Sequence, residues 1–159
     1  MKKKWYFFIL ILIAALLESV FLNYFKIFYV RPNLILCLVV LASLCLDIRE
    51  SLLLAIFGGL LQDALTLHKF GANVLLLPLW SFLIIELSRK ISIDENYMRL
   101  ALILITALIH NIASGLINFY FISAIIPGGV YLRITILEPL YTAFIFVLIF
   151  RFLKPIIIK

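Results

Sequence analysis

Few side chains in this sequence can do chemistry, and most of them lie inside long apolar runs. The acids within those runs are Glu18, Asp63, Glu86 and Glu138. Thr106, His110, Ser114 and Asn118 recur every four residues, with Asn111 and Gly115 alongside. On a helix that spacing makes one polar stripe, which faces protein or water when the helix lies in lipid. It suits hydrogen bonds between helices, or the wall of a ligand cavity or proton path. Gly59 and Asp63 are also four apart, within Gly58-Gly59-Leu60-Leu61-Gln62-Asp63. The glycines let a neighbouring helix approach closely, and Asp63 on the same face needs a partner or a water pocket. A packing notch with a capping carboxylate meets that need, and so does a polar site.

The patterns that carry enzyme chemistry are missing. The sequence holds no nucleophile beside a plausible base, no glycine-rich phosphate loop and no His- or Cys-rich metal spacing. His68 reads as a loop residue and His110 as mid-run. Cys37 and Cys45 share one apolar run, and on a helix they are separated by ~12 Å of rise, too far for a disulfide. They read as small apolar fillers. The expectation is a protein that is not an enzyme, with no catalytic residues, cofactor or metal.

The composition says what must surround these residues. The chain is 66% hydrophobic and 14% charged, with a mean hydropathy of +1.23. Soluble domains carry about a quarter charged residues, and a small domain exposes too much surface to hide this much apolar area from water. The solvent is therefore lipid. The net charge of +6 does not point to nucleic acid, because the basic residues sit in short clusters between apolar runs.

Six apolar runs are legible, giving an all-α bundle of six transmembrane helices in a single domain over 1–159, with spans near 5–22, 32–48, 51–67, 72–87, 100–122 and 134–153. The first has a basic start like a signal peptide, but Asn23-Tyr24-Phe25-Lys26 offers no small-residue cleavage site, so a retained helix is expected. The second opens at Pro32, which suits a first helical position, and is short for a ~30 Å hydrocarbon core. Asp47-Ile48-Arg49-Glu50, His68-Lys69-Phe70-Gly71, the polar stretch Ser88 to Arg99 and Pro127-Gly128-Gly129 read as connections.

Alternating the runs from a cytoplasmic N-terminus puts Lys2, Lys3, Lys4, Arg49, Arg89, Lys90, Arg99, Arg151, Lys154 and Lys159 inside. Lys26, Arg31, Lys69 and Arg133 fall outside. The bias predicts an inner-membrane protein with both termini in the cytoplasm. On that topology Glu18, Gln62, Asp63, Asn118 and Glu138 lie in the outer half. They form a candidate polar cluster with His110 and Ser114, open to a ligand or to a docking partner. Glu86 lies near the inner surface beside Arg89 and Lys90, where pairing is easy.

From Arg31 to about Leu83 the sequence resembles the MreD family, the small membrane subunit of the bacterial rod-shape (elongasome) system. The matching features are Arg31-Pro32-Asn33 opening the second helix, the Gly58-to-Asp63 block, and Gly71-Ala72-Asn73 before the fourth run. Outside that third of the chain the likeness lies in length, six short spans and basic ends. Gly59 stands where many relatives carry a bulkier residue. The resemblance implies a fold like the substrate-binding (S) subunits of energy-coupling-factor transporters. It also implies a non-enzymatic scaffold that partners MreC, and through it the MreB filament and peptidoglycan synthases; whether copies of the chain form a homo-oligomer is left open by the sequence. Pro32, Asn33, Gly58, Gly59, Asp63 and Gly71 are then candidate helix-packing or partner-interface residues, and bulky changes at Gly58 or Gly59 should disturb the complex before the fold. The alternative is a vitamin- or metal-binding transporter subunit of that fold, its pocket lined by Glu18, Asp63, Asn118 and Glu138. Against it, Glu18 follows Ala14 where a small-residue docking face would continue, and the N-terminus has no histidine for nickel or cobalt.

Overall fold

From Leu34 to Ser43 every residue of one helix is buried, on all sides. A helix apolar all round belongs in the middle of a bundle, and this one is the hub. In the computed structural model the described residues are 2–20, 30, 32–65, 71–91, 95–122 and 128–157; the side chains of 2, 3, 118, 121, 122, 128 and 152–157 are outside the description. They form six helices: α1 (Lys2–Val20), α2 (Leu34–Cys45), α3 (Ile48–Leu65), α4 (Ala72–Lys90), α5 (Asn96–Ile122) and α6 (Gly128–Ile157). The hub α2 packs against all five others, which follow one another around it in the order α1, α3, α4, α5, α6.

Consecutive helices alternate in direction, as the contacts at their ends show. Glu18 at the end of α1 meets Ile35 at the start of α2. Ser51 in the first turn of α3 meets the Ala42 carbonyl near the end of α2. Asp63 late in α3 meets Asn73 early in α4, while Arg99 at the start of α5 lies over Phe150 near the end of α6. Lys4 and Glu50 pair at 3.4 Å, and Phe8 stacks on Phe57 with ring centroids 4.2 Å apart, so α1 and α3 run side by side. One end of the bundle therefore gathers Lys4, Arg49, Arg89, Lys90, Arg99 and Arg151.

Each outer helix buries one stripe and leaves the other faces apolar and exposed. On α1 the buried stripe is Phe7, Ile11, Ala14 and Ala15, while Leu12, Ile13, Leu16 and Leu17 are exposed. A water-soluble bundle would place polar residues on those faces. Ala72–Lys90, Asn96–Ile117 and Gly129–Arg151 are long and apolar enough to cross a membrane. The other three helices do not meet that measure. The hub has 12 residues, a rise of about 18 Å, whereas α1 carries Lys2, Lys3, Lys4 and Glu18, and α3 carries Arg49, Glu50 and Asp63.

Several local expectations shift. Pro32 is not the first helical residue: Asn33 is the N-cap of α2 and Pro32 precedes it, fully buried. The hub ends at Cys45 rather than reaching 48, because Leu46 is extended and α3 begins at Ile48. The polar stretch from Ser88 to Arg99 is mostly helix end, since α4 runs through Lys90 and α5 starts at Asn96. Arg89 and Lys90 close α4, where cations complement the helix dipole. Gly128 and Gly129 belong to the first turn of α6 rather than to a loop. Lys26, Arg31, Thr66, His68, Lys69, Asp94, Pro127 and Lys159 lie outside the described residues.

Candidate functional site

The expected polar cluster resolves into two helix caps and a buried polar stripe. The first cap joins α3 to α4. Gly71, the N-cap of α4, has φ 91° and no side chain to bond the first turn. Asp63 supplies what is missing: Oδ1 accepts from Asn73 N at 3.2 Å and Oδ2 from Val74 N at 3.0 Å. These are the second and third helical amides, the donors a capping side chain would satisfy, and a carboxylate there also meets the positive end of the helix dipole. Gly59, one turn earlier on α3, makes the approach possible. A Cβ at that position would lie 2.6 Å from Asn73 O and 2.7 Å from Val74 Cα, distances only glycine permits.

The second cap joins α1, α2 and α6. Asn33 Oδ1 accepts from Leu36 N at 2.9 Å, an N-cap bond within α2. Glu18 Oε1 reaches across from α1 to accept from Ile35 N at 3.0 Å. Asn33 N donates to Thr142 Oγ1 of α6 at 3.0 Å, and Cys37 Sγ lies 3.5 Å from the Thr142 carbonyl. The buried start of the hub is thus satisfied by side chains from two other helices, as burial away from water demands.

The stripe on α5 points inward: Thr106, His110 and Ser114 are buried. His110 Nδ1 accepts from Trp80 Nε1 of α4 at 3.2 Å, so the neutral ring carries its proton on Nε2. Asn111, beside the stripe, keeps its buried Nδ2 without an acceptor among the described residues. Beyond His110, Gly115 makes room for the Tyr131 ring of α6, which a Cβ would strike. The Asn118 side chain falls outside the described residues, and Glu138 and Gln62 are half-buried.

Glu18 and Asp63 serve the starts of different helices, and His110 is bonded to Trp80. Pro32, Asn33, Gly58, Gly59 and Asp63 are buried, which takes them off the surface available to a partner. Gly58 faces Ile35 and Val39 of the hub and Ile11 of α1. Gly71 is half-buried with open space around its Cα, so its requirement is the left-handed backbone. The neighbours of both glycines belong to this chain, so bulk at Gly58 or Gly59 is directed against the bundle's own helices. Glu86 does pair with Arg89, at 2.8 Å.

Several contributing residues gave no signal in the sequence. Ser43 bonds Ser81 at 2.8 Å between α2 and α4, Ser51 caps the Ala42 carbonyl, and Thr142 closes the hub's N-terminus. Each is a single hydroxyl in an apolar helix, and only the polarity of that setting marks it. Among the described residues no group of three or more His, Cys, Asp or Glu could hold a metal ion.

No curated protein and no solved structure gives a significant match to the chain. The family model described as rod shape-determining protein MreD matches residues 1–156, nearly the whole length. With its apolar helices, its carboxylate-capped helix starts and that match from end to end, this chain belongs to the MreD family of bacterial membrane proteins that determine rod shape.

Proposed function

We propose that the chain is a non-enzymatic membrane scaffold of the cell-elongation complex, partnering an MreC-like protein to organise lateral peptidoglycan synthesis. The observation that carries this reading is the family match over residues 1–156. The chemistry of the bundle supports it. The buried polar groups described above cap and join the chain's own helices, and the outer faces of α1 and α3 to α6 are broadly apolar. Such faces suit lipid or the transmembrane helix of a partner.

In this reading all six helices are membrane-embedded, the hub shielded by the other five and α1 and α3 crossing with their charges near the ends. The end that gathers Lys4, Arg49, Arg89, Lys90, Arg99 and Arg151 faces the cytoplasm of the inner membrane, following the positive-inside rule, which puts both termini there. The same reading gives the bundle a fold like that of the substrate-binding subunits of energy-coupling-factor transporters, used here for assembly. MreB and the peptidoglycan synthases are reached indirectly, through the partner.

The test is a gentle-detergent pull-down of the tagged protein from its native membrane, with identification of what co-purifies. Recovery of a single-span, coiled-coil MreC-like protein is the expected result. Recovery of paired ATPases with a coupling subunit instead would make the chain a transport component and sink the scaffold reading.

A further inference from the structure

A cleft of about 260 Å³ opens between the start of α1 and the first turns of α3. Lys4, Trp5 and Phe8 line it from α1, and Glu50, Leu53 and Leu54 line it from α3. On each wall a charge is followed four residues later by an apolar side chain, Lys4 by Phe8 and Glu50 by Leu54, and that spacing keeps them on one helix face. Leu54 is buried, Phe8 is held by stacking on Phe57 with ring centroids 4.2 Å apart, and Trp5 and Leu53 are exposed at the sides. The cleft is thus charged at its mouth and apolar within.

The two charges at the mouth are of opposite sign and stand side by side. Lys4 Nζ and Glu50 Oε1 are 3.4 Å apart, with 39% and 33% of their side chains exposed. That is longer than the roughly 2.8 Å of a tight charge-assisted hydrogen bond. An ammonium has several donors and a carboxylate several acceptor sites, so this one contact exhausts neither group. The depth of the pair follows from its neighbours. Helix α4 is long and apolar enough to cross a membrane and ends in Arg89 and Lys90. Helix α3 runs antiparallel to it, so Glu50 in the first turn of α3 stands at that same end. The mouth lies at headgroup level, where an interfacial tryptophan such as Trp5 also belongs, and the apolar walls run inward from it.

We propose that this cleft binds a zwitterionic phospholipid with a primary ammonium, its phosphate meeting Lys4, its ammonium donating to Glu50 and the start of an acyl chain lying against Phe8, Leu53 and Leu54. Charge complementarity selects this occupant. A cation beside a carboxylate matches a headgroup that carries both signs, whereas an anionic headgroup meets repulsion from Glu50. An apolar helix laid over the cleft would desolvate the ion pair without replacing its contacts with water. The proposal rests on the embedded reading of α1 and α3 and not on which partner the scaffold recruits.

The test is lipid retention by the full-length protein in mild detergent, read by native mass spectrometry with phosphatidylethanolamine, phosphatidylglycerol and phosphatidylcholine supplied in equal amounts. Wild type should keep one phosphatidylethanolamine in preference to both others, since phosphatidylglycerol has no ammonium and the methylated ammonium of phosphatidylcholine has no N–H to donate. Glu50→Gln should lower the preference over phosphatidylglycerol about fivefold, from one charge near the surface. Leu53→Trp, at an exposed position, should fill the cleft and reduce retention without touching a charge. Glu86→Gln, which removes the carboxylate of another ion pair at the same end, should change nothing. Equal retention by wild type of phosphatidylethanolamine and either other lipid overturns the proposal. So does wild-type retention in Leu53→Trp, an equal loss in Glu86→Gln, or displacement of the lipid by an apolar transmembrane peptide, which would give the cleft to a partner helix. Quenching of Trp5 by brominated acyl chains in vesicles, taken as the signal lost in Trp5→Phe, tests the embedded reading separately. Quenching without lipid selectivity would leave that reading standing and overturn the proposal, and no quenching would overturn both.

Discussion

Gly59 and Gly115 both let a neighbouring helix come close, yet the two junctions differ in what the glycine faces. At α3–α4 the space above Gly59 is filled by the backbone of Asn73 and Val74, and Asp63 fixes the same two residues by their amides. At α5–α6 the space above Gly115 is filled by the Tyr131 ring. A helix backbone bound at two points cannot move aside without breaking those bonds, whereas an aromatic side chain can change rotamer. The first junction is therefore rigid and specific, and the second is adaptable. Helices α2, α3 and α4 are tied by Ser43–Ser81, Ser51–Ala42 and the Asp63 cap, and between α5 and α6 the Arg99 guanidinium stacks on Phe150.

That contrast can be broken by substitution. Gly59→Leu should do the most damage, at least about 3 kcal/mol, because bulk directed at backbone forces the helices apart; folded yield by size-exclusion in detergent would show it. Asp63→Ala comes next, at about 2 kcal/mol, from two amides at a buried helix start left without their acceptor. Thermal melting in detergent would measure the loss, and Asp63→Asn should recover part of it by keeping one acceptor. Gly115→Ala should cost about 1 kcal/mol or less, since the Tyr131 ring can yield. A melting loss as large as that of Gly59→Ala would mean the two junctions are equally rigid. Glu86→Gln should change melting least, by about 0.5 kcal/mol or less, because its pair with Arg89 is largely solvent-exposed.

The fours-spacing of the sequence made the α5 stripe and the shared face of Gly59 and Asp63 legible, since helical periodicity depends on local order alone. What each face meets depends on distant segments. Glu18 looked like part of an outward polar site, and it caps α2 because that helix runs antiparallel to α1 and sets Ile35 beside it. Asp63 acts on the next helix, whose glycine N-cap offers no side chain. The hub read as a span that was merely short; its complete burial comes from five neighbours that periodicity cannot place. Thr142 and the Ser43–Ser81 pair were invisible for the same reason, being lone hydroxyls whose partners lie 109 and 38 residues away.

The central claim is that Gly59 and Asp63, which carry much of the family likeness, build the bundle rather than the partner surface. The most direct measurement is made on Gly59→Ala, mild enough for some protein to fold, by recording its melting temperature in detergent and the ratio of partner recovered per folded molecule. A lowered melting temperature with a wild-type partner ratio is the predicted result. An unchanged melting temperature with the partner lost would contradict the account and return Gly59 to the interface.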